Sequence, residues 1–213
     1  MLTLTGSSFL SGSQGTNHLL KETSMYSPIL DKIDIPFVTK RMNATLVDRP
    51  ASIWRQDPSD EVDAAWLVAE DPRPFAISRE EVIALGQDPD KAVKWPEEYG
   101  LGSDMYAARI DVFHQIHCLD AIRREVWFDY YYGEKYQGGF ANTTGMHKLH
   151  LTHCIAYIME NLMCAANVDV YTHFWTDAFS YPHPDFQIQH KCRSFDAILD
   201  WQQKHAVDVH KLV

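Results

Sequence analysis

SDMYAARIDVFHQIHCLDAIRREVWFDYYY, residues 103–132, contains neither glycine nor proline. Its apolar residues recur at Ile110, Phe113, Ile116, Ala121 and Trp127/Phe128, and that spacing predicts one long amphipathic helix. Four of the ten glycines then fall between Gly133 and Gly145, which marks a loop. The stretch that follows, MHKLHLTHCIAYIMENLMC at residues 146–164, is again free of glycine and proline. Leu149, Ile155, Ile158 and Leu162 lie along one side of a second predicted helix. A short connection makes the two helices antiparallel neighbours. Both carry the same five residues, H-x-x-H-C, as His114-Gln115-Ile116-His117-Cys118 and His150-Leu151-Thr152-His153-Cys154.

On a helix each residue turns by about 100°, so His114, His117 and Cys118 project into one arc of about 100°. His150, His153 and Cys154 do the same. If the arcs face each other, four imidazoles and two sulfurs converge between the helices, and helix bundles build metal sites in this way. Three readings stay open. One is a redox metal centre with His114, His117, His150 and His153 as ligands; imidazole-rich, tetragonal surroundings favour copper over zinc or iron. Cys118 and Cys154 would then form a disulfide across the pair. Another is a closed, structural Cys2His2-type zinc site, although six candidate ligands exceed the four that zinc needs. The last is a helix interface in which the histidines are buried and hydrogen-bonded.

His147 continues the spacing toward the loop and is a candidate fifth ligand, or a solvated surface histidine. Asp111, three residues before His114, is a candidate to orient that ligand from behind, or an ordinary exposed helix carboxylate. His183 and His190 sit in and just after the proline-rich segment Tyr181-Pro182-His183-Pro184, and are candidates to line a pocket, or histidines with no site role. Cys164 and Cys192 lie in no metal-like spacing and form a natural second disulfide, tying the last helix to the second; four cysteines allow three connectivities. The aromatic residues around both helices are packing residues, or walls of a substrate site.

The chain has 213 residues, enough for one domain with a sizeable core. A net charge of −10 leaves no basic stripe to neutralise phosphates, which argues against nucleic acid as a partner. No run approaches the roughly 18–20 apolar residues of a membrane helix. Residues 1–20 read as a flexible lead-in and 21–213 as the domain. Residues 16–77 read as irregular and proline-punctuated, with Phe37-Val38 and Ile53-Trp54 as short strands at most. Ser78 opens a short helix with a capping-box pattern and Gly86 stops it. Ser194 caps a last helix reaching to about Val209. The fold class expected is mainly α, a single domain. Two N-x-S/T triplets, at Asn43 and Asn142, and an even cysteine count suit a glycosylated protein in an oxidising compartment. No glycine-rich phosphate loop points to a nucleotide cofactor, and no nucleophile–base pair points to covalent catalysis.

Beyond the doubled motif, several pieces run in order along the chain: Tyr26-Ser27-Pro28, Pro58-Ser59-Asp60-Glu61-Val62-Asp63-Ala64-Ala65-Trp66, Val112 to Leu119, His150 to Ile155, Leu162-Met163-Cys164 and His190 to Ile198. On these the sequence resembles the UstYa-like oxidases of fungal secondary-metabolite clusters. The resemblance implies a metal-dependent oxidoreductase that uses O2 or peroxide on a peptide or small-molecule substrate. The outcomes it implies are oxidative cyclisation, hydroxylation, desaturation or halogenation at C–H or phenolic O–H bonds; a non-redox cyclase or isomerase is the alternative. It implies copper, mononuclear or dinuclear, on His114, His117, His150 and His153. It further implies a secretory-pathway lumen, a membrane anchor preceding the domain, and homo- or hetero-oligomers.

Overall fold

Ser59 stands before a run of three acidic residues and an apolar stripe, and a helix starts there. The computed structural model describes residues 17–44, 52–175, 177 and 180–209. Helix α3 spans Asp60–Glu70; the Ser59 hydroxyl accepts from the Val62 N–H, and Asp60, Glu61 and Asp63 occupy its first turn. Those carboxylates complement the positive end of the helix dipole. Val62, Trp66 and Ala69 form its buried face. This helix lies where the sequence suggests an irregular arm, although its cap and its i, i+4, i+7 stripe are both readable. Ile53–Arg55 is a single 3-10 turn rather than a strand, and Trp54 packs edge-on against Trp66 at 5.6 Å.

The apolar core is built from elements that precede and follow the doubled motif in the chain. It joins α1 (His18–Glu22), α2 (Ile29–Lys32), β2 (Phe75–Ser78), α4 (Arg79–Ala84), β3 (Met105–Ala108) and α8 (Phe195–His205). Leu20, Ile29, Leu30, Ile35, Phe75, Ile77, Val82, Tyr106 and Trp201 form the buried cluster, with Phe75 edge-on to Trp201 at 5.0 Å. Leu20, at the end of the expected lead-in, thus belongs to this cluster. The Asn17 side chain donates to the carbonyls of Leu30 and Ile33 and accepts from the Ile35 N–H, fixing α1 to α2. Residues 1–16 of the expected lead-in and Thr45 of the first sequon lie outside the described residues.

Strands pair two by two. β1 (Phe37–Arg41) runs antiparallel to β6 (Gln189–Arg193), with Phe37 opposite Arg193, so the early arm is clamped to the segment before α8. β2 pairs with β3, Phe75 opposite Ala108. β4 (His173–Phe174) pairs with β5 (His183–Pro184). Residues 105–108 were expected to be helical. They are strand because their backbone groups bond β2, which buries Tyr106 in the core. The helix that follows, α5, is Asp111–Val126; Trp127, at φ −110° and ψ 41°, separates it from α6, Phe128–Tyr132. Helix α7 is Gly145–Ala165, with Thr144 accepting from the His147 N–H at 3.1 Å. The capping box at Ser78 and the Ser194 cap form as the sequence indicates, although α8 ends at His205. No helix among the described residues is long and apolar enough to cross a membrane.

Candidate metal centre

Helices α5 and α7 lie side by side, and the two H-x-x-H-C arcs meet. The His114 ring centroid is 5.9 Å from that of His153, and His117 is 5.8 Å from His150. The pairs cross in opposite order along the two helices, so the helices run antiparallel. Exchanging one motif for the other leaves the contacts unchanged, and the centre has an approximate two-fold symmetry. His114 and His117 are half-buried on α5; His150 and His153 are more exposed on α7.

Both motif cysteines are fully buried, at 0% exposure. Each sulfur lies one turn from a histidine of its own helix: Cys118 Sγ is 3.8 Å from His114 Nε2, and Cys154 Sγ is 3.6 Å from His150 Nε2. Burial pushes the Cys118 thiol up to about 12, and a hydrogen bond with Cys154 adds to it. The two thiols are thus neighbours, as an inter-helix staple requires. All four cysteines are free thiols in this structure, so neither the 118–154 nor the 164–192 bond is formed; Cys164 is exposed and Cys192 half-buried.

The donor set fits a transition metal. One ligand atom from each of His114, Cys118 and His153 lies within 4.8 Å of the others. Burial holds His114 below the ordinary imidazole range, and the neighbouring His117 and His153 rings add to the effect. Burial does the same for His150, reinforced by His117, His153 and His147. Crowded imidazoles that resist protonation keep their lone pairs for a cation.

The groups around the centre break its symmetry. On the His114/His153 side, the Tyr157 ring stands edge-on to His114 at 4.7 Å. Its hydroxyl donates to Asp111, and that bond, with burial, pushes the phenol up to about 12. Asp111 also accepts from Gln115 at 2.6 Å, so its hydrogen bonds go to Tyr157 and Gln115 rather than to His114. On the other side, His117 Nδ1 is 3.1 Å from Glu70 Oε2, at the end of α3. Burial raises the Glu70 carboxyl above its ordinary range, with the His117 hydrogen bond opposing it. A cavity of about 240 Å³ opens here between Glu70, His117, His150, His147, Glu125 and Tyr132.

His147 is not gathered with the four motif rings. Its Nε2 is 2.8 Å from Glu125, and Tyr132 and Tyr136 stand edge-on to it at 5.0 and 5.3 Å. It walls the cavity instead. His190 pairs with Asp169 at 2.5 Å and lines a separate open hollow with Tyr171 and Phe186. His183 packs by Phe174 and Tyr181. Glu70 escaped the sequence reading, because nothing local marks it as a neighbour of His117. Of the two sequons, Asn142 lies in an exposed turn between α6 and α7, and Asn43 is exposed after β1.

A helix pair that carries converging imidazoles, flanked by carboxylates and a hollow, is an arrangement that could hold a metal ion. The family described as mycotoxin biosynthesis protein UstYa matches residues 1–205, and the chain belongs to that family. It is 39% identical over 201 residues to the UstYa family oxidase aprY of Aspergillus flavus, covering 92% of this chain and 60% of that protein. It is 28% identical over 196 residues to the UstYa family oxidase phomYc of Diaporthe leptostromiformis, covering 88% of this chain and 72% of that protein. It is 30% identical over 115 residues to the oxidase ustYa of Aspergillus flavus, covering 51% of this chain and 47% of that protein. No solved structure matches the chain.

Proposed function

We propose that this chain is the catalytic domain of a copper-dependent oxidase of fungal secondary metabolism, acting on a peptide or small metabolite. The observation that carries the reading is the pairing of His114 with His153 and of His117 with His150 across two antiparallel helices. The oxidase names of the relatives support it. His114, His117, His150 and His153 would hold the metal, as one ion among four nitrogens or as two ions on the two pairs. Copper bound there would supply one-electron redox chemistry with O2 or peroxide.

The chain's own residues do the rest. His114 and His150, held below the ordinary imidazole range by burial and by neighbouring rings, favour the neutral form that a cation binds. The cavity beside His117 and His150 admits a substrate side chain to the edge of the centre. The products consistent with such a site are those of C–H or phenolic O–H oxidation: a closed ring, a hydroxyl, a double bond or, with halide present, a halogenated carbon. In an oxidising secretory lumen, with a membrane anchor preceding the domain, Cys118 and Cys154 would lose two hydrogens to the folding oxidant and close as a staple. There Asn142 would carry a glycan, and homo- or hetero-oligomers complete the proposal.

A second reading rests on the grouping of His114, Cys118 and His153, which also suits a structural zinc. Elemental analysis and EPR of the purified protein separate the two. Stoichiometric zinc, with no Cu(II) signal after copper loading, would sink the oxidase reading.

A further inference from the structure

The motif repeat makes the two halves of the centre equivalent; helix α3 does not. Among the described residues, His117 is the one motif histidine that meets a carboxylate, through Nδ1 and Glu70 Oε2 at 3.1 Å. Its counterpart under the approximate two-fold, His153, faces the rings of His114 and Tyr157 instead.

Glu70 is held in place from several directions. Its side chain is 9% exposed. Its helix is pinned to α5 by Arg123, which donates to Asp63 at 2.7 Å and lies over the Trp66 ring at 5.2 Å. The next residue, Asp71, is locked by two hydrogen bonds from the Arg73 guanidinium. A carboxylate so fixed orients whatever it accepts from.

We propose that Glu70 is a positioning residue for the centre: it accepts the Nδ1 proton of His117 and thereby commits Nε2, on the far edge of the ring, to the space shared with His150. An imidazole bonded through one nitrogen to a carboxylate is fixed in tautomer and in ring angle, and its other nitrogen is the more basic for it. Glu70 therefore strengthens the His117/His150 half over the His114/His153 half. The inequality comes from α3 and not from the motif itself. This inference rests on the metal-binding reading of the four histidines.

The test uses the full chain and Cu(II) alone as the probe, with Glu70→Gln and Glu70→Ala. Affinity is read by competition against a chelator, the ligand field by EPR, and the fold by circular dichroism. The Glu70→Ala protein is expected to bind Cu(II) about 10–100-fold more weakly, with a changed hyperfine splitting. Glu70→Gln keeps an oxygen that accepts from Nδ1, and is expected to recover part of that loss. It is also the variant on which the result is read if Glu70→Ala does not fold. Wild-type affinity and an unchanged spectrum in the folded variants would overturn the inference. Wild-type protein that takes up no Cu(II) at the histidines overturns the copper reading instead, so the two failures are distinguishable.

Discussion

Arg123→Met is expected to destabilise the protein by about 3 kcal/mol. The Arg123 side chain is 9% exposed and donates to Asp120 at 2.6 Å and to Asp63 at 2.7 Å. It also donates to the Tyr131 hydroxyl at 2.8 Å. Removing one partner of a buried pair costs about 3–5 kcal/mol, because the other charge is left buried and uncompensated. Two features hold the cost to the lower end. Asp120, 5% exposed, keeps Arg124 at 2.6 Å, and Asp63 is 31% exposed and keeps the Tyr131 hydroxyl. In a domain of this size the loss corresponds to a fall in Tm of roughly 6–12 °C. Thermal and guanidinium unfolding of the metal-free protein would measure it. A loss under about 1 kcal/mol, the worth of an exposed pair, would show that this network does not tie α3 to α5. The same variant should weaken Cu(II) binding, because α3 carries Glu70 to His117.

The acid limb of stability tests the same network. Burial pushes the Asp63 carboxyl up, but hydrogen bonds from Tyr131 and Arg123 outweigh it and leave Asp63 below its ordinary range. A depressed carboxyl contributes stability that is present above the unfolded value of about 3.9 and is lost as pH falls through the folded value. The gap between wild type and Arg123→Met should therefore narrow below about pH 4; a gap that is constant down to pH 2 contradicts the assignment. Trp201→Ala should cost about 3–5 kcal/mol by emptying the core beside Phe75, as a urea titration would report; a cost below 1 kcal/mol would mean that α8 is not part of the core. His114→Ala with His153→Ala should fold, since neither ring is in the apolar core, and should lose copper in elemental analysis. Retention of full metal content would move the site elsewhere.

The centre itself was largely legible. Two stretches free of glycine and proline, a glycine loop between them and a repeated arc of ligands suffice to bring four rings together, because helical spacing is a local property. Short connections then leave antiparallel packing as the natural arrangement. The caps at Ser78 and Ser194 are local too, and both form. The errors fall where a distant segment chose. Residues 105–108 have nothing against helix in their own composition; the open edge of β2 made them strand. Asp111 is exposed, as one of its two readings had it, but its bond to a tyrosine from α7 could not be read from its own helix.

What the sequence by itself determined is which residues share a face: His114, His117 and Cys118 on one helix, and His150, His153 and Cys154 on the other. Only the tertiary structure decided what stands behind those faces. Glu70 behind His117, Tyr157 beside His114 and the cavity walled by His147 come from packing between elements far apart in the chain. Backbone geometry sets the neighbours of a residue within about one turn. Every other neighbour depends on which helices bury their faces together. That is why a repeat symmetrical in sequence becomes a centre with two unequal halves.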